Sequence, residues 1–158
     1  MQFPLSITVN DELHEVHVDA SLSLLQFVRQ QLGLTGSKEG CEDSECGACM
    51  MLVDGRPVNS CSYLALQASG RTVTTVEGLA RGAELHPLQR QFAELGSVQC
   101  GYCTSGMLIS ATALLKQNSK PTETEIRWAL SGNLCRCTGY SKIVQAVQAA
   151  ATELAPKK

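Results

Sequence analysis

Phe3, Leu5, Ile7 and Val9 alternate strictly with Pro4, Ser6, Thr8 and Asn10, the period of a strand that buries one face. After the turn-forming pair Asn10-Asp11, Val16 and Val18 resume the alternation, so the stretch predicts a β-hairpin. A helix should follow. Ser21 or Ser23 can cap it, Leu25, Val28 and Leu32 make its buried stripe, and Gly33 stands where a C′ glycine belongs. A loop rich in glycine and cysteine then runs from Gly36 to Cys49. Met51 to Val53, the turn Asp54-Gly55 and Val58 to Ser60 predict a second hairpin, and Val73 to Val76 a last strand. Strands around one helix make this half α+β.

The stretch Glu77 to Pro87 carries two glycines and a proline and is the expected linker, after which the period changes to that of helices. Leu88, Phe92 and Leu95 form one helical stripe ending at Gly96; Met107, Ala111, Leu114 and Leu115 form a second. Thr122 with Glu125 makes a capping box for a third helix carrying Ile126, Ala129 and Leu130, and Ile143, Val147, Ala150 and Leu154 mark a fourth. The expected organisation is a first unit over residues 1–76, a linker over 77–86 and a helical bundle of about four members over 87–158.

Composition decides what must hold two such small units together. The chain has 158 residues and a formal net charge of −2, so no basic excess points to nucleic acid. Aromatic residues make up only 4%, and small cores built on aliphatic side chains are marginal without a staple. Eight cysteines are the candidates. The start MQFPLSITVN lacks a basic n-region, a twin arginine and an apolar h-region, and no stretch approaches the ~20 apolar residues of a membrane span. A cytoplasmic location is therefore expected, where thiols stay reduced and clustered cysteines more often bind metal than each other.

The cysteines fall into two sets. Cys41, Cys46 and Cys49 have the C-x4-C-x2-C spacing of plant-type [2Fe–2S] ferredoxins, with Cys61 available as a fourth ligand. The second set lies in a weak internal repeat: QFAELGSVQCGYCTSGMLISATALL and RWALSGNLCRCTGYSKIVQAVQAA both run helix, glycine, a loop with two cysteines, threonine, helix. A pseudo-twofold would bring Cys100 and Cys103 together with Cys135 and Cys137. Thr104 and Thr138 are expected to cap the following helices, aiming two positive helix ends at one anionic group. Gly36, Gly40 and Gly47 are expected to let the first loop bend its N–H groups inward. Structural zinc also accepts four thiolates, but its knuckles are usually C-x2-4-C pairs, so it ranks second for both sets and disulfides third.

KEGCEDSECGACMMLVDGRPVNSC, VQCGYCTSGM and GNLCRCTGY together resemble the iron–sulfur subunit of the molybdenum hydroxylases, the family of xanthine dehydrogenase, aldehyde oxidoreductase and CO dehydrogenase. The resemblance covers nearly the whole chain, and all eight cysteines match in order. It implies a β-grasp, plant-type ferredoxin-like domain holding one [2Fe–2S] cluster on Cys41, Cys46, Cys49 and Cys61. A four-helix-bundle domain would follow, holding a second on Cys100, Cys103, Cys135 and Cys137. One departure is Ser105, where such sequences commonly read C-T-P-G; serine is expected to loosen the helix start slightly.

What the resemblance implies for function is an electron relay. Substrate would react at a molybdopterin in a separate large subunit, and electrons would pass through the helical-domain cluster and then the ferredoxin-domain cluster. A flavin subunit carrying FAD, or a cytochrome, would receive them. In the family the VQCGYC loop and the last cysteine approach the pterin, which maps onto Gln99 and Cys137; a loop amide satisfying its own backbone is the plainer reading of Gln99. The chain shows no nucleotide loop, nucleophile constellation or paired carboxylates, so substrate chemistry of its own is not expected. A free-standing two-cluster electron carrier is the alternative, and a zinc-stapled binding module a third reading. His14, His17 and His86 read as surface or locally bonded, Trp128 as packing or subunit interface. Arg136 could offset cluster charge or point to solvent, and Lys38, Glu39, Glu42, Asp43 and Glu45 read as a solvated loop surface.

Overall fold

The computed structural model describes residues 1–155; the last three positions of the expected second unit lie outside the described residues. β1 (Gln2–Val9) and β2 (Glu12–Asp19) form the first antiparallel hairpin, with Val9 opposite Glu12. Asn10 and Asp11 both take left-handed φ, 49° and 69°, as a two-residue turn matched to strand twist requires. Leu5, Ile7, Val9 and Val18 are buried as the alternation demands, while Phe3, nearest the open end, remains partly exposed.

Ser23, not Ser21, caps the helix that follows. Its hydroxyl accepts the Gln26 N–H (3.1 Å) while the Gln26 side chain accepts the Ser23 N–H (3.2 Å), and Ser21 bonds to Asp19 instead. The helix is α only over α1 (Leu24–Gln26) and then widens into a π turn over Phe27–Gln31, with Leu32 N–H donating to the Phe27 carbonyl. The wider turn puts Leu24, Leu25, Phe27 and Val28 all in the core, more than a stripe of period 3.6 would bury. Gly33, at φ 70°, ends it.

β3 (Met50–Val53) and β4 (Arg56–Asn59) form the second hairpin, and β5 (Thr72–Thr74) lies between the two hairpins, parallel to β1 and antiparallel to β3. The mixed sheet has the order β2-β1-β5-β3-β4. β5 is shorter than expected because Val76 already opens a 3₁₀ turn, Val76–Leu79. β3 reads as an unbroken apolar run because both its faces are covered. Met51 and Val53 join the core beneath the sheet, and Leu52 packs against Ile109 and Ala113 of a helix from the second half.

That half contains α2 (Pro87–Glu94), α3 (Thr104–Gln117), α4 (Glu123–Ala129) and α5 (Ser141–Leu154). Leu88, Phe92, Met107, Ala111, Leu115, Ile126, Leu130, Ile143, Val147 and Ala150 share one core. Leu154, in the last turn of α5, is 43% exposed and outside it. The Thr122–Glu125 box is present in both directions, and Gly96 has φ 65° after α2. Between the halves, Glu77 accepts the Gly36 N–H at 2.8 Å, and Val76 and Leu79 pack on the helical core.

Candidate metal centres

The first cysteine loop is held from both sides. Arg29 donates to the carbonyls of Thr35 (2.8 Å) and Ser37 (2.7 Å), and the Lys38 N–H donates to Ala48 O (3.0 Å), closing the loop on itself. Asn59 at the end of β4 donates to Ser44 O (2.8 Å), and Ser60 to Cys49 O (2.6 Å), so the hairpin carrying Cys61 is fastened to the loop. Of the three glycines, only Gly47 is left-handed, at φ 71°. Gly36 and Gly40 serve closeness instead: a Cβ at Gly40 would press on the Cys46 sulfur, and one at Gly36 on Val76 and Glu77.

Backbone donors already face these sulfurs. The Cys46 N–H lies 3.4 Å from Cys41 Sγ, and the Ala48 N–H favours the ionised form of Cys46. An Asp43 contact raises the Cys41 thiol, but N–H groups of Cys46 and Asp43 outweigh it and lower the pKa. Burial pushes Cys46 up and Cys49 up to about 11. Cys46 also feels the neighbouring Cys41 and Cys61 thiols, and Cys49 feels Cys61. On the loop surface, Glu39 raises the Glu42 carboxyl by a shared hydrogen bond and like charge.

The repeat does gather the second set. Cys100 and Cys137 are exposed with sulfurs 3.5 Å apart, and behind them Cys103 pairs with Cys135. Burial pushes Cys103 up to about 12. Burial also works against ionising Cys135, but the Thr138 hydroxyl (3.0 Å) and the N–H groups of Thr138 and Cys137 bring it down to about 7.

The two threonines do not cap helices. Cys103 occupies the N-cap position of α3 with no side-chain cap, so Thr104 is already the first helical residue. α5 begins only at Ser141, after Tyr140 at φ 68°. Thr138 Oγ1 instead lies 3.0 Å from Cys135 Sγ and accepts the N–H of Tyr140, ahead of the helix, at 3.3 Å. One positive helix end, that of α3, therefore starts at a cysteine of this set.

Within each set the thiols are close enough to act on one another's ionisation, and Cys100 and Cys137 are in direct contact. Two thiols per iron is what a binuclear cluster takes, and the inward N–H groups suit its negative charge. Gln99 is exposed beside Cys100, and Arg136 points to solvent between Cys135 and Cys137. Trp128 is 80% exposed, which removes core packing as its role. His86 is half-buried and caps α2 by accepting the Leu88 N–H on Nδ1 (3.2 Å).

The sequence pattern did not reveal how the two loops lock together. The Leu134 N–H donates to Cys46 O (2.9 Å), the Tyr102 hydroxyl to Glu39 O (2.6 Å) and the Ser105 hydroxyl to Ala48 O (3.4 Å). Ser105 is therefore a cross-loop donor, a bond proline could not make, at the second position of an intact helix. A Cβ at Gly106 would run into the Gly47 carbonyl. The only hint was a glycine early in a predicted helix, where it costs stability unless something passes close by.

Comparison with known proteins agrees with this geometry. A family model described as a 2Fe-2S iron-sulfur cluster binding domain matches residues 7–79, and one described as a [2Fe-2S] binding domain matches residues 75–148. The chain is 47% identical over 144 residues to the nicotinate dehydrogenase small FeS subunit of Eubacterium barkeri, covering 91% of this chain and 92% of that one. It is 46% identical over 145 residues to the xanthine dehydrogenase iron-sulfur-binding subunit of Escherichia coli O157:H7, covering 90% and 91%. Its fold superposes on a chain of quinoline 2-oxidoreductase from Pseudomonas putida 86 with a TM-score of 0.92 at 43% identity, covering 96% of this chain and 94% of that one. With the likeness running along nearly the whole chain, it belongs to the iron–sulfur subunits of the molybdenum hydroxylases.

Proposed function

We propose that this chain is the electron-transfer subunit of a multi-subunit molybdenum hydroxylase, with Cys41, Cys46, Cys49 and Cys61 holding one [2Fe–2S] cluster and Cys100, Cys103, Cys135 and Cys137 a second. When bound, the two clusters supply one-electron transfer between the molybdopterin of a partner large subunit and an onward acceptor. The acceptor is a flavin subunit carrying FAD or a cytochrome, and the complex works in the cytoplasm. Residues 1–76 act as a β-grasp ferredoxin-like domain, 77–86 as the connection and 87–158 as a four-helix iron–sulfur domain.

The observation that carries this reading is the exposure of Cys100 and Cys137 beside Gln99, while Cys103 and Cys135 lie behind them. A site that served only to staple the fold would gain nothing from presenting two sulfurs at the surface. Here Cys137 faces the large subunit and can accept a hydrogen bond from the pterin, and the Gln99 amide, free to donate and accept, positions the pterin edge. Trp128 and Leu134, exposed apolar side chains 80% and 58% accessible, supply anchors for that subunit. Such a surface favours an obligate subunit over a free-standing carrier.

Gln99→Ala tests the assignment. Iron content should stay at the wild-type level while rapid-mixing spectroscopy shows slower reduction by substrate, or the large subunit is retained less well. Wild-type rates together with wild-type retention would reduce Gln99 to a loop amide. Native mass of the purified protein separates the alternatives, since a carrier runs alone and a subunit with a larger partner.

A further inference from the structure

Asn133 is 2% exposed, yet it carries a carboxamide with two donors and an acceptor to satisfy. Its Nδ2 donates to Gly47 O (3.1 Å) in the first cysteine loop, and its Oδ1 accepts from Ser110 Oγ (2.7 Å) on α3. The Gly47 carbonyl can only accept, so the amide nitrogen must be the atom facing it. Asn133 also precedes Cys135 by two residues in the second cysteine loop, where its own carbonyl accepts from Tyr140 Oη (3.4 Å) and the Cys135 N–H donates to the same hydroxyl (2.7 Å). One side chain therefore ties a loop of each cysteine set to the helix between them.

The bond to Gly47 fixes more than a distance. Its carbonyl and the Ala48 N–H belong to one peptide unit, which is trans and planar, so they point in opposite directions. The Ala48 N–H faces Cys46 Sγ and favours its ionised form. Holding the oxygen on the Asn133 side, with the Met50 N–H as a second donor at 3.2 Å, aims the N–H at that sulfur. The two loops leave no room for a side chain between them: a Cβ at Gly47 would run into the Gly132 carbonyl and the Asn133 side chain.

We propose that Asn133 is a positioning residue by which the helical half sets the reduction potential of the cluster held by the other half, through the orientation of the Gly47–Ala48 peptide. An N–H group aimed at a cluster thiolate favours the reduced, more negative state, and hydrogen bonds to sulfur are among the determinants of potential. Loss of the Asn133 bond lets the peptide rotate and the donor weaken. The potential of the Cys41–Cys61 cluster then falls, and that of the other cluster does not. This rests on the proposed ligand sets.

The test is a redox titration of the complex as purified, followed by electron paramagnetic resonance, for wild type, Asn133→Leu and Ser110→Ala. The signal absent from Cys46→Ser identifies the cluster of interest. Asn133→Leu keeps the branched shape but removes the amide that bonds Gly47 O and Ser110 Oγ, and should shift that midpoint negative while leaving the other in place. Ser110→Ala, which frees only the Oδ1 side, should shift it less in the same direction. Unchanged midpoints in Asn133→Leu overturn the proposal, as do equal shifts of both clusters. If Asn133→Leu does not accumulate, Ser110→Ala decides, a selective negative shift supporting the proposal and a wild-type midpoint overturning it. Iron and acid-labile sulfide are measured on the same wild-type sample; their absence would instead refute the two-cluster reading.

Discussion

The amide of Leu134 donates to the carbonyl of Cys46 over 2.9 Å, so the residue beside Cys135 is bonded to a member of the other cysteine set. The two loops approach that closely because Gly47 and Gly106 have no side chains to keep them apart. A methyl group at Gly106 would gain about 0.5–1 kcal/mol of helix propensity. It would also press on the Gly47 carbonyl, and overpacking costs about 1–3 kcal/mol. The cost wins. Gly106→Ala should lower the thermal midpoint by roughly 2–4 °C per kcal/mol lost, whereas Gly132→Ala, whose added Cβ meets nothing, should not. Equal midpoints for Gly106→Ala and wild type would mean the loops are not locked there.

Cys46→Ser should remove only the cluster of the first set. Substrate would still reduce the second, while turnover with the external acceptor falls because the far end of the relay is gone. Spectra of the substrate-reduced variant, with steady-state turnover on the same sample, check this; equal loss of both signals would contradict two separate sites.

His86 gives the stability of α2 a pH dependence. Burial, and then the positive charge of Lys116, hold its pKa below the ordinary 6.5, and the neutral ring is what accepts the Leu88 N–H. In the unfolded chain the imidazole protonates at its ordinary value. The contribution is therefore fully present above that value and lost as pH falls through the lowered one. Asparagine caps helices at any pH. The thermal midpoint of wild type relative to His86→Asn should decline as pH falls below the ordinary 6.5. A constant difference across that range would dismiss the cap.

What could be read from the chain was what neighbouring residues decide among themselves. The Asn10-Asp11 turn, the Ser23 and Thr122 caps and Gly33 depend on residues within one turn or hairpin, and all stand where the pattern put them. Cysteine spacing carried further, because a cluster demands ligands at fixed separations. The expectation for Thr104 and Thr138 failed for lack of a partner's position: whether a hydroxyl caps a helix or turns to a sulfur depends on where Cys135 lies in space. Leu154 kept its period but ran past the edge of the core. Asn133, Tyr102 and Ser105 were illegible for the same reason, since their partners Gly47, Glu39 and Ala48 are 57 to 86 residues away.

Quantifying iron and acid-labile sulfide, with spin integration of the dithionite-reduced complex, tests the central claim most directly. Two binuclear sites, each on four thiolates, require about four iron and about four sulfide per chain and two distinct paramagnetic signals integrating to about one spin each. Stoichiometric zinc without sulfide, or a single signal, would contradict it.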